Sequence, residues 1–149
     1  MSICVAGLGI SGVAAARALA ARGEHVIVVE ERDGERQRAA AAELAGLGVE
    51  VRFGPSALPE GVTTVVTTGW PPHHPLLRQA AAAGVEVIAE VELAWRHRPA
   101  GAAPWLALTG TNGKTTVVRM LTAMLTAAGH KALAVGNVGT PAVAAVDEP

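Results

Sequence analysis

Two glycine-rich segments have the residue types and spacing of phosphate-binding loops. The first, Gly7-Leu8-Gly9-Ile10-Ser11-Gly12, directly follows a short apolar run and precedes an alanine-rich stretch. In a strand-loop-helix unit, this G-x-G-x-x-G spacing permits a tight turn, a close ligand approach and close helix packing at its three glycines. Free N–H groups at the start of the helix would then face an anion. The segment therefore predicts a nucleotide site.

The second segment is Leu108-Thr109-Gly110-Thr111-Asn112-Gly113-Lys114-Thr115-Thr116, which resembles a Walker A loop. Lysine in such a loop reaches the β- and γ-phosphates, and the following hydroxyl ligates Mg²⁺. We therefore expect Lys114 and Thr115 to be catalytic and Thr115 to bind metal. Leu108 stands where the general pattern has glycine. The residues expected to bind ATP are Gly110, Thr111, Asn112, Gly113, Lys114, Thr115 and Thr116.

Apolar runs alternate with alanine-rich stretches that end in glycine, and this alternation predicts a parallel sheet covered by helices. The predicted strands are residues 3–6, 25–30, 49–53, 62–67 and 85–89. The predicted helices are residues 11–22, 34–45, 76–83 and 91–96. Glu30 ends the second strand, where an acidic residue in this fold reaches a ribose or a base. The fold class is thus α/β, with a Rossmann-like sheet.

A proline-containing stretch at residues 98–104 predicts a domain boundary. Residues 1–98 would form the Rossmann-like domain, and residues 99–149 would begin a P-loop-type ATP-binding α/β domain. In that second unit we predict strands at residues 105–109 and 131–135 and a helix at residues 114–128. So few elements bury too little surface for an independent core. We therefore expect the chain to be the front part of a longer protein.

Composition excludes several classes of function. The 149 residues contain 12 Lys plus Arg and 13 Asp plus Glu, for a net charge of −1. No run of like charges marks a surface for nucleic acid or anionic lipid, and no apolar stretch is long enough to span a membrane. The single Cys4 fits a buried side chain in a reducing compartment. We expect a cytoplasmic protein, and we expect it to be a monomer.

Other side chains with chemical potential are better explained by structure. His73 and His74 are adjacent, so their side chains diverge, and no further ligand nearby completes a zinc site. We expect them in a solvated loop. Glu90 and Glu92 would face different sides of a helix. The lone tryptophans are expected to be packing anchors: Trp70, Trp95 and Trp105.

The second loop resembles the ATP-binding signature of the Mur ligases, which folylpolyglutamate synthases share without a preceding Rossmann-like domain. Two further segments agree. Residues 67–75 resemble the family's Ser-Pro-Gly loop, with Thr68 where the family usually has proline, and Gly136-Asn137-Val138-Gly139 resembles its Gly-Asn-Ile-Gly loop. The short first loop is similar to the corresponding loop of the Mur ligases that add D-glutamate to UDP-N-acetylmuramoyl-L-alanine.

This resemblance implies an ATP- and Mg²⁺-dependent ligase of peptidoglycan precursor synthesis. The muramoyl-alanine carboxylate would accept the γ-phosphoryl group, and the amine of D-glutamate would attack the acyl phosphate. The 149-residue chain alone would be inactive, since the remaining family residues lie beyond it. The resemblance implies these substrate-binding residues: Gly9, Ile10, Ser11, Glu30, Glu31, Arg32, Thr67, Thr68, Gly69 and Asn137.

Two other functions are compatible with parts of the pattern. The first loop and Glu30 would also suit a fragment of an NAD-dependent oxidoreductase, although hydride transfer needs no second phosphate loop. The second alternative is a stand-alone nucleotide-binding or regulatory module that senses ATP without turning it over. The oxidoreductase alternative predicts that the first loop binds NAD rather than a UDP-sugar.

Overall fold

A computed structural model of the chain describes residues 1–146, and the end of the predicted second domain, residues 147–149, lies outside the described part. Five parallel strands form one sheet in the order β3-β2-β1-β4-β5. The strands are β1 (Ser2–Ala6), β2 (His25–Glu30), β3 (Glu50–Phe53), β4 (Val62–Thr67) and β5 (Glu86–Ala89). The predicted α/β, Rossmann-like architecture is confirmed.

Helices connect all consecutive strands except β3 and β4, and every α-helix begins within one residue of its predicted position. They are α1 (Ile10–Ala21), α2 (Glu35–Ala45), α3 (Pro75–Ala82), α4 (Glu90–Arg96) and α5 (Lys114–Ala127), with a short 3₁₀ helix at Ala142–Ala145. Glycines follow α1, α3 and α5 in the left-handed conformation that terminates helices: Gly23, Gly84 and Gly129.

The sheet is buried on both faces because its central strands have apolar side chains on both sides of the sheet. Val5, Val28 and Val66 pack with Leu19 of α1 in one cluster. Cys4 and Val65 face the other way and pack with the apolar side of α3. Burial raises the pKa of the Cys4 thiol to about 12, although Arg52 opposes this shift. Cys4 is therefore a core residue rather than a nucleophile.

Strand register brings three candidate segments to one edge of the sheet. Ala6 at the end of β1 pairs with Val29 of β2 and with Thr67 of β4. Since all strands are parallel, the loops that follow β1, β2 and β4 leave the sheet side by side. Ligands of open parallel sheets bind outside these carboxyl ends. The fold thus creates one location for the residues expected to bind the substrate.

The predicted strands at residues 105–109 and 131–135 are wrong: neither segment joins a ladder within the described residues. A strand needs a hydrogen-bonded neighbour, and these two segments pair neither with each other nor with the five-stranded sheet. The predicted helix between them is present as α5, but no α5 residue is buried. Its apolar side chains Val117, Met120 and Met124 are exposed. The start of a P-loop-type domain therefore remains a prediction.

Residues 141–146 return to the first part of the chain. Ala142, Val143 and Val146 are buried in the cluster that contains Leu19 and Leu93. The N–H of Val143 donates to Glu90 Oε1 at 2.7 Å, which ties this segment to the start of α4. Residues that follow the second glycine loop therefore complete the core beneath α1 and α4.

Trp70 and Trp105 pack against the core as expected, whereas Trp95 is half exposed. Trp95 and Trp105 meet edge to face with ring centroids 5.4 Å apart, and the Arg98 guanidinium lies 3.8 Å from the Trp95 ring centre. Trp70 packs against the cluster beneath α3. No helix in residues 1–146 has the length and apolar character needed to cross a bilayer.

Candidate nucleotide site

Two glycines of the first loop are required by close contacts. Gly7 has φ +102°, and its N–H donates to Val29 O at 2.8 Å. A Cβ at Gly12 would lie 2.0 Å from Gly7 O, so the loop and α1 touch through backbone alone. These positions match the turn and the close packing expected from the G-x-G-x-x-G spacing.

Gly9 is different because nothing lies within 4 Å of the position a Cβ would take. It precedes α1 with extended backbone (φ −79°, ψ −172°), and no side chain caps the helix. The N–H groups of the first helical turn lack intrahelical partners by geometry. This open face is where an anion can reach the backbone amides and the positive end of the helix dipole.

Glu30, at the end of β2, is hydrogen-bonded to the first loop. It is 2% exposed. Leu8 N–H donates to Glu30 Oε2 at 2.8 Å, and Arg32 N–H donates to Oε1 at 2.9 Å. The Arg32 Nε–H adds a third bond to Oε1 at 3.2 Å. The carboxylate therefore links the end of β2 to the glycine loop, and both of its oxygens already accept hydrogen bonds.

The charge state of Glu30 follows from this arrangement. Burial raises the pKa of its carboxyl group, but hydrogen bonds from the Arg32 and Leu8 backbone N–H groups and from the Arg32 side chain lower it, and the net pKa is below 4.5. Hydrogen bonds to the ionised form outweigh desolvation. Glu30 is thus ionised at neutral pH and shapes the loop. Its direct contact with uridine remains a prediction.

Arg32 and Glu31 extend outward from the same strand end. The Arg32 side chain is 72% exposed despite its bond to Glu30. Glu31 is half exposed, and its Oε1 accepts from Ser56 Oγ at 2.9 Å and contacts His74 Nε2 at 3.2 Å. Arg32 therefore offers a solvent-facing cation beside the open glycine loop, while Glu31 joins the loops around it.

The loop after β4 packs directly against the first glycine loop. Thr68 Oγ1 donates to Ala6 O at 2.7 Å and lies 2.9 Å from where a Gly7 Cβ would be. Gly69 turns with φ +114°. Thr67 Oγ1 is buried and has no hydrogen-bond partner among residues 1–146. The Thr68 hydroxyl thus holds this loop against β1 through a hydrogen bond. At this position the Mur ligases, which the sequence resembles, usually have proline.

The expectation of a solvated loop is wrong for His74. Its imidazole is 12% exposed, lies 3.9 Å from the Trp70 ring centre and accepts from Leu76 N–H at 3.3 Å. His73 is exposed, as expected. The sequence contains one signal for this difference. His74 precedes Pro75 at the start of a helix, where a side chain that accepts a hydrogen bond is favoured.

The second glycine loop also stands at the start of a helix. Gly113 has φ +77° immediately before α5, and no side chain caps the helix. The Lys114 ammonium donates to Gly110 O and, at 3.4 Å, to Thr111 O. The Lys114 side chain thus folds back over the loop, and residues 110–116 are all exposed. This arrangement fits a phosphate cradle.

The structure brings the first loop near the returning segment. A groove of about 620 Å³ is lined by Gly9 and Ile10 together with Pro141 and Val143. Asn137 is exposed in the turn just before Pro141. In the described part of the chain, no hydrogen bond or ion pair joins the two glycine loops. The role of Asn137 in substrate binding therefore stays a prediction.

Side chains alone do not form a metal centre in the described residues. No group of three or more His, Cys, Asp or Glu side chains could hold an ion there. Thr115, the predicted Mg²⁺ ligand, is exposed in the first turn of α5, beside Lys114. A hydroxyl in that position would share the ion with nucleotide phosphates.

Residues 1–89 match the family described as Mur ligase MurD-like, N-terminal domain. The chain belongs to this family. The matched MurD-like region contains the whole five-stranded sheet and the open glycine loop. The second loop and the returning segment lie beyond the match.

Curated relatives agree with this MurD-like assignment. The chain is 60% identical over 143 residues to UDP-N-acetylmuramoylalanine–D-glutamate ligase of Thermobifida fusca, which covers 95% of the chain and 30% of that protein. It is 56% identical over 147 residues to the enzyme of the same name from Streptomyces avermitilis, with 97% and 32% covered. The chain spans about a third of the length of these relatives. Since they are named as ligases, they give no support to an oxidoreductase.

Solved structures show the same fold. UDP-N-acetylmuramate-alanine ligase of Thermotoga maritima is 25% identical with a TM-score of 0.54, and the match covers 85% of this chain and 29% of that one. A murein peptide ligase of Psychrobacter arcticus is 22% identical with a TM-score of 0.55, with 87% and 27% covered. The MurD-like chain thus has the sheet architecture of Mur ligases.

Proposed function

We propose that the chain is the N-terminal part of an ATP-dependent ligase that joins D-glutamate to UDP-N-acetylmuramoyl-L-alanine, and that its first domain binds the uridine diphosphate of that substrate. The observation that carries this proposal is the open backbone at Gly9 in a MurD-like sheet. The names of the relatives supply the substrate class.

The diphosphate would contact the start of α1 and the Arg32 side chain. Backbone amides at the start of α1 would donate to its oxygens, and the helix dipole would favour its charge by about 0.3–1 kcal/mol. Glu30 keeps the loop in this shape through Leu8. Arg32, which is largely exposed, would add a cation and hydrogen-bond donors toward the phosphates or the uracil edge.

The second loop fits ATP and Mg²⁺ by its donors. The start of α5 has no side-chain cap, and Lys114 is the cation next to it. When bound, ATP supplies the phosphoryl group that activates the substrate carboxylate. Lys114 would leave the Gly110 and Thr111 carbonyls to neutralise charge on the β- and γ-phosphates, and Thr115 would ligate Mg²⁺.

We assign residues 1–98 to the uridine-binding domain and residues 99–149 to the start of the ATP-binding domain. The returning segment at residues 141–146 modifies this division, because it packs on α1 and α4. By its position in the sequence this segment would be part of the second domain, but its side chains pack on residues of the first. A polypeptide of these 149 residues, a third of the length of its relatives, should bind substrate without turnover.

Gly9→Ala tests the proposal because the backbone at Gly9 accepts any residue and a Cβ there meets no protein atom within 4 Å. Folding should be unchanged, whereas calorimetric affinity for UDP-N-acetylmuramoyl-L-alanine should fall at least about tenfold as the methyl group enters the ligand's approach. The matched control is Gly34→Ala at the equivalent position before α2, where a Cβ meets only the flexible Gln37 side chain.

Two results would contradict the proposal. One is saturable binding of NAD that is tighter than binding of the UDP-sugar. The other is equal UDP-sugar affinity for Gly9→Ala and the unsubstituted chain, since the diphosphate would then not approach the start of α1.

A further inference from the structure

We propose that Glu31 and His74 form a latch between the loops after β2 and β4, and that this latch positions both loops for the uridine end of the ligand. This inference rests on the proposed function, because it assigns a positioning role within the same site. Neither residue needs to react, and His74 need not touch the ligand.

One carboxylate oxygen joins three loops. Glu31 Oε1, in the loop after β2, contacts His74 Nε2 at 3.2 Å in the loop after β4. The same oxygen accepts from Ser56 Oγ at 2.9 Å in the connection between β3 and β4. These residues are far apart in sequence, so the contacts fix the spacing of loops that the sheet only brings near each other.

The contact made by His74 Nδ1 determines which atom donates in the hydrogen bond between His74 Nε2 and Glu31. His74 Nδ1 accepts from Leu76 N–H at 3.3 Å and caps the start of α3. A neutral imidazole that accepts at Nδ1 carries its proton on Nε2, so Nε2–H donates to Glu31. One tautomer therefore serves the helix cap and the latch together.

Contacts also link the latch to the glycine loop. The His74 ring lies 3.9 Å from the Trp70 ring centre at an interplanar angle of 37°. Trp70 Nε1 in turn lies 3.0 Å from where a Gly7 Cβ would be. Packing thus runs from Glu31 through His74 and Trp70 to the turn that precedes the open amides of α1.

The contact between Glu31 and His74 itself predicts an effect on binding rather than on stability. Glu31 is half exposed, and exposed ion pairs contribute little to unfolding free energy. A ligand held between the two loops, however, must order them if they are not already in place, and that ordering weakens affinity. The latch removes this cost before the ligand arrives.

His74→Asn separates the latch from the helix cap. Asparagine caps a helix well through its side-chain oxygen, so α3 keeps its N-terminal bond, but its short side chain cannot also reach Glu31. The matched control is His73→Asn at the exposed neighbour. Each chain of 149 residues is titrated with UDP by calorimetry and melted by circular dichroism.

We expect His74→Asn to bind UDP about threefold to tenfold more weakly, as for loss of one hydrogen bond to a half-exposed carboxylate. Its thermal midpoint should fall somewhat below that of His73→Asn, because the His74 ring also packs on Trp70, so affinities are compared well below both midpoints. The affinity of His73→Asn should equal that of the unsubstituted chain. Adding Glu31→Ala to His74→Asn should weaken UDP binding by less than the sum of the two single losses, since both variants remove the Glu31–His74 contact.

The outcomes are distinguishable. Equal UDP affinity for His74→Asn and His73→Asn overturns the latch and leaves the proposed function intact. Fully additive losses in the double variant also overturn it, because the two side chains would then act independently. If the unsubstituted chain fails to bind UDP, the proposed function falls and the role of the latch falls with it.

Discussion

Replacing Glu30 with glutamine should destabilise the chain although it preserves the size of the side chain. The amide can accept at one oxygen only. Its best orientation keeps the two Arg32 bonds at the Oε1 position and turns its NH₂ group toward Leu8 N–H, which then loses its 2.8 Å acceptor. An unsatisfied buried N–H costs about 1–3 kcal/mol, and loss of charge weakens the two remaining bonds by roughly 1 kcal/mol in total.

The expected loss is thus about 2–4 kcal/mol in the free energy of unfolding at neutral pH. For a chain of this size that lowers the thermal midpoint by roughly 4–16 °C. Urea unfolding of Glu30→Gln measures it directly. Glu24→Gln is the control, because Glu24 is exposed and the same change there should stay within about 0.5 kcal/mol.

The pH dependence supplies a second check. The folded pKa of Glu30 is below 4.5, so the unfolded chain binds the proton more readily, and the stabilisation is present above pH 4.5 and lost as the pH falls through the folded pKa. Protonated glutamic acid resembles glutamine in its hydrogen bonding. The stability gap between Glu30→Gln and the unsubstituted chain should therefore narrow below pH 4.5. Equal unfolding curves at neutral pH, or a gap unchanged in acid, would refute this reasoning.

Three further substitutions have expected outcomes. Gly12→Ala should cost about 3 kcal/mol or more in unfolding experiments, because its Cβ would lie 2.0 Å from Gly7 O, and a normal melting curve would contradict that contact. Glu90→Ala should cost about 1–2 kcal/mol and speed hydrogen exchange at the Val143 amide, whereas Glu92→Ala should not change that amide. Lys114→Ala in the full-length protein should lower kcat by at least about a hundredfold, with an unchanged thermal midpoint because residues 110–116 are exposed. Near-normal turnover would remove Lys114 from the proposed mechanism.

Local signals predicted the five-stranded sheet and its helices well. The run that became β2 is apolar at successive positions, and the glycines that end α1 and α3 stand where helices stop, so these elements lie within a residue or two of expectation. Gly7 and Gly12 were predictable because their roles depend on their immediate neighbours. Glu30 was found from its spacing, but its bond to Leu8 N–H was not, since a carboxylate at a strand end can face either a ligand or its own loop.

Contacts between distant segments were not predictable. Residues 105–109 have a strand-like composition, yet pairing requires a neighbour that no local pattern supplies. His74 is held by Glu31 and Trp70, whose meeting depends on the register of β1, β2 and β4. The packing of Val143 on α1 and α4 had no signal, because a few small apolar residues do not specify a destination.

The return of residues 141–146 to α1 and α4 has a consequence for the order of events during synthesis. Leu93 and Ala94 leave the ribosome well before Ala142, Val143 and Val146, the residues that complete their cluster. At about 5–20 residues per second, this interval is on the order of several seconds. Throughout that time the nascent chain exposes the apolar side chains of α1 and α4 that residues 142–146 later cover, beside a finished sheet. Chaperone contact with nascent chains should therefore peak in this interval and decline once the returning segment emerges.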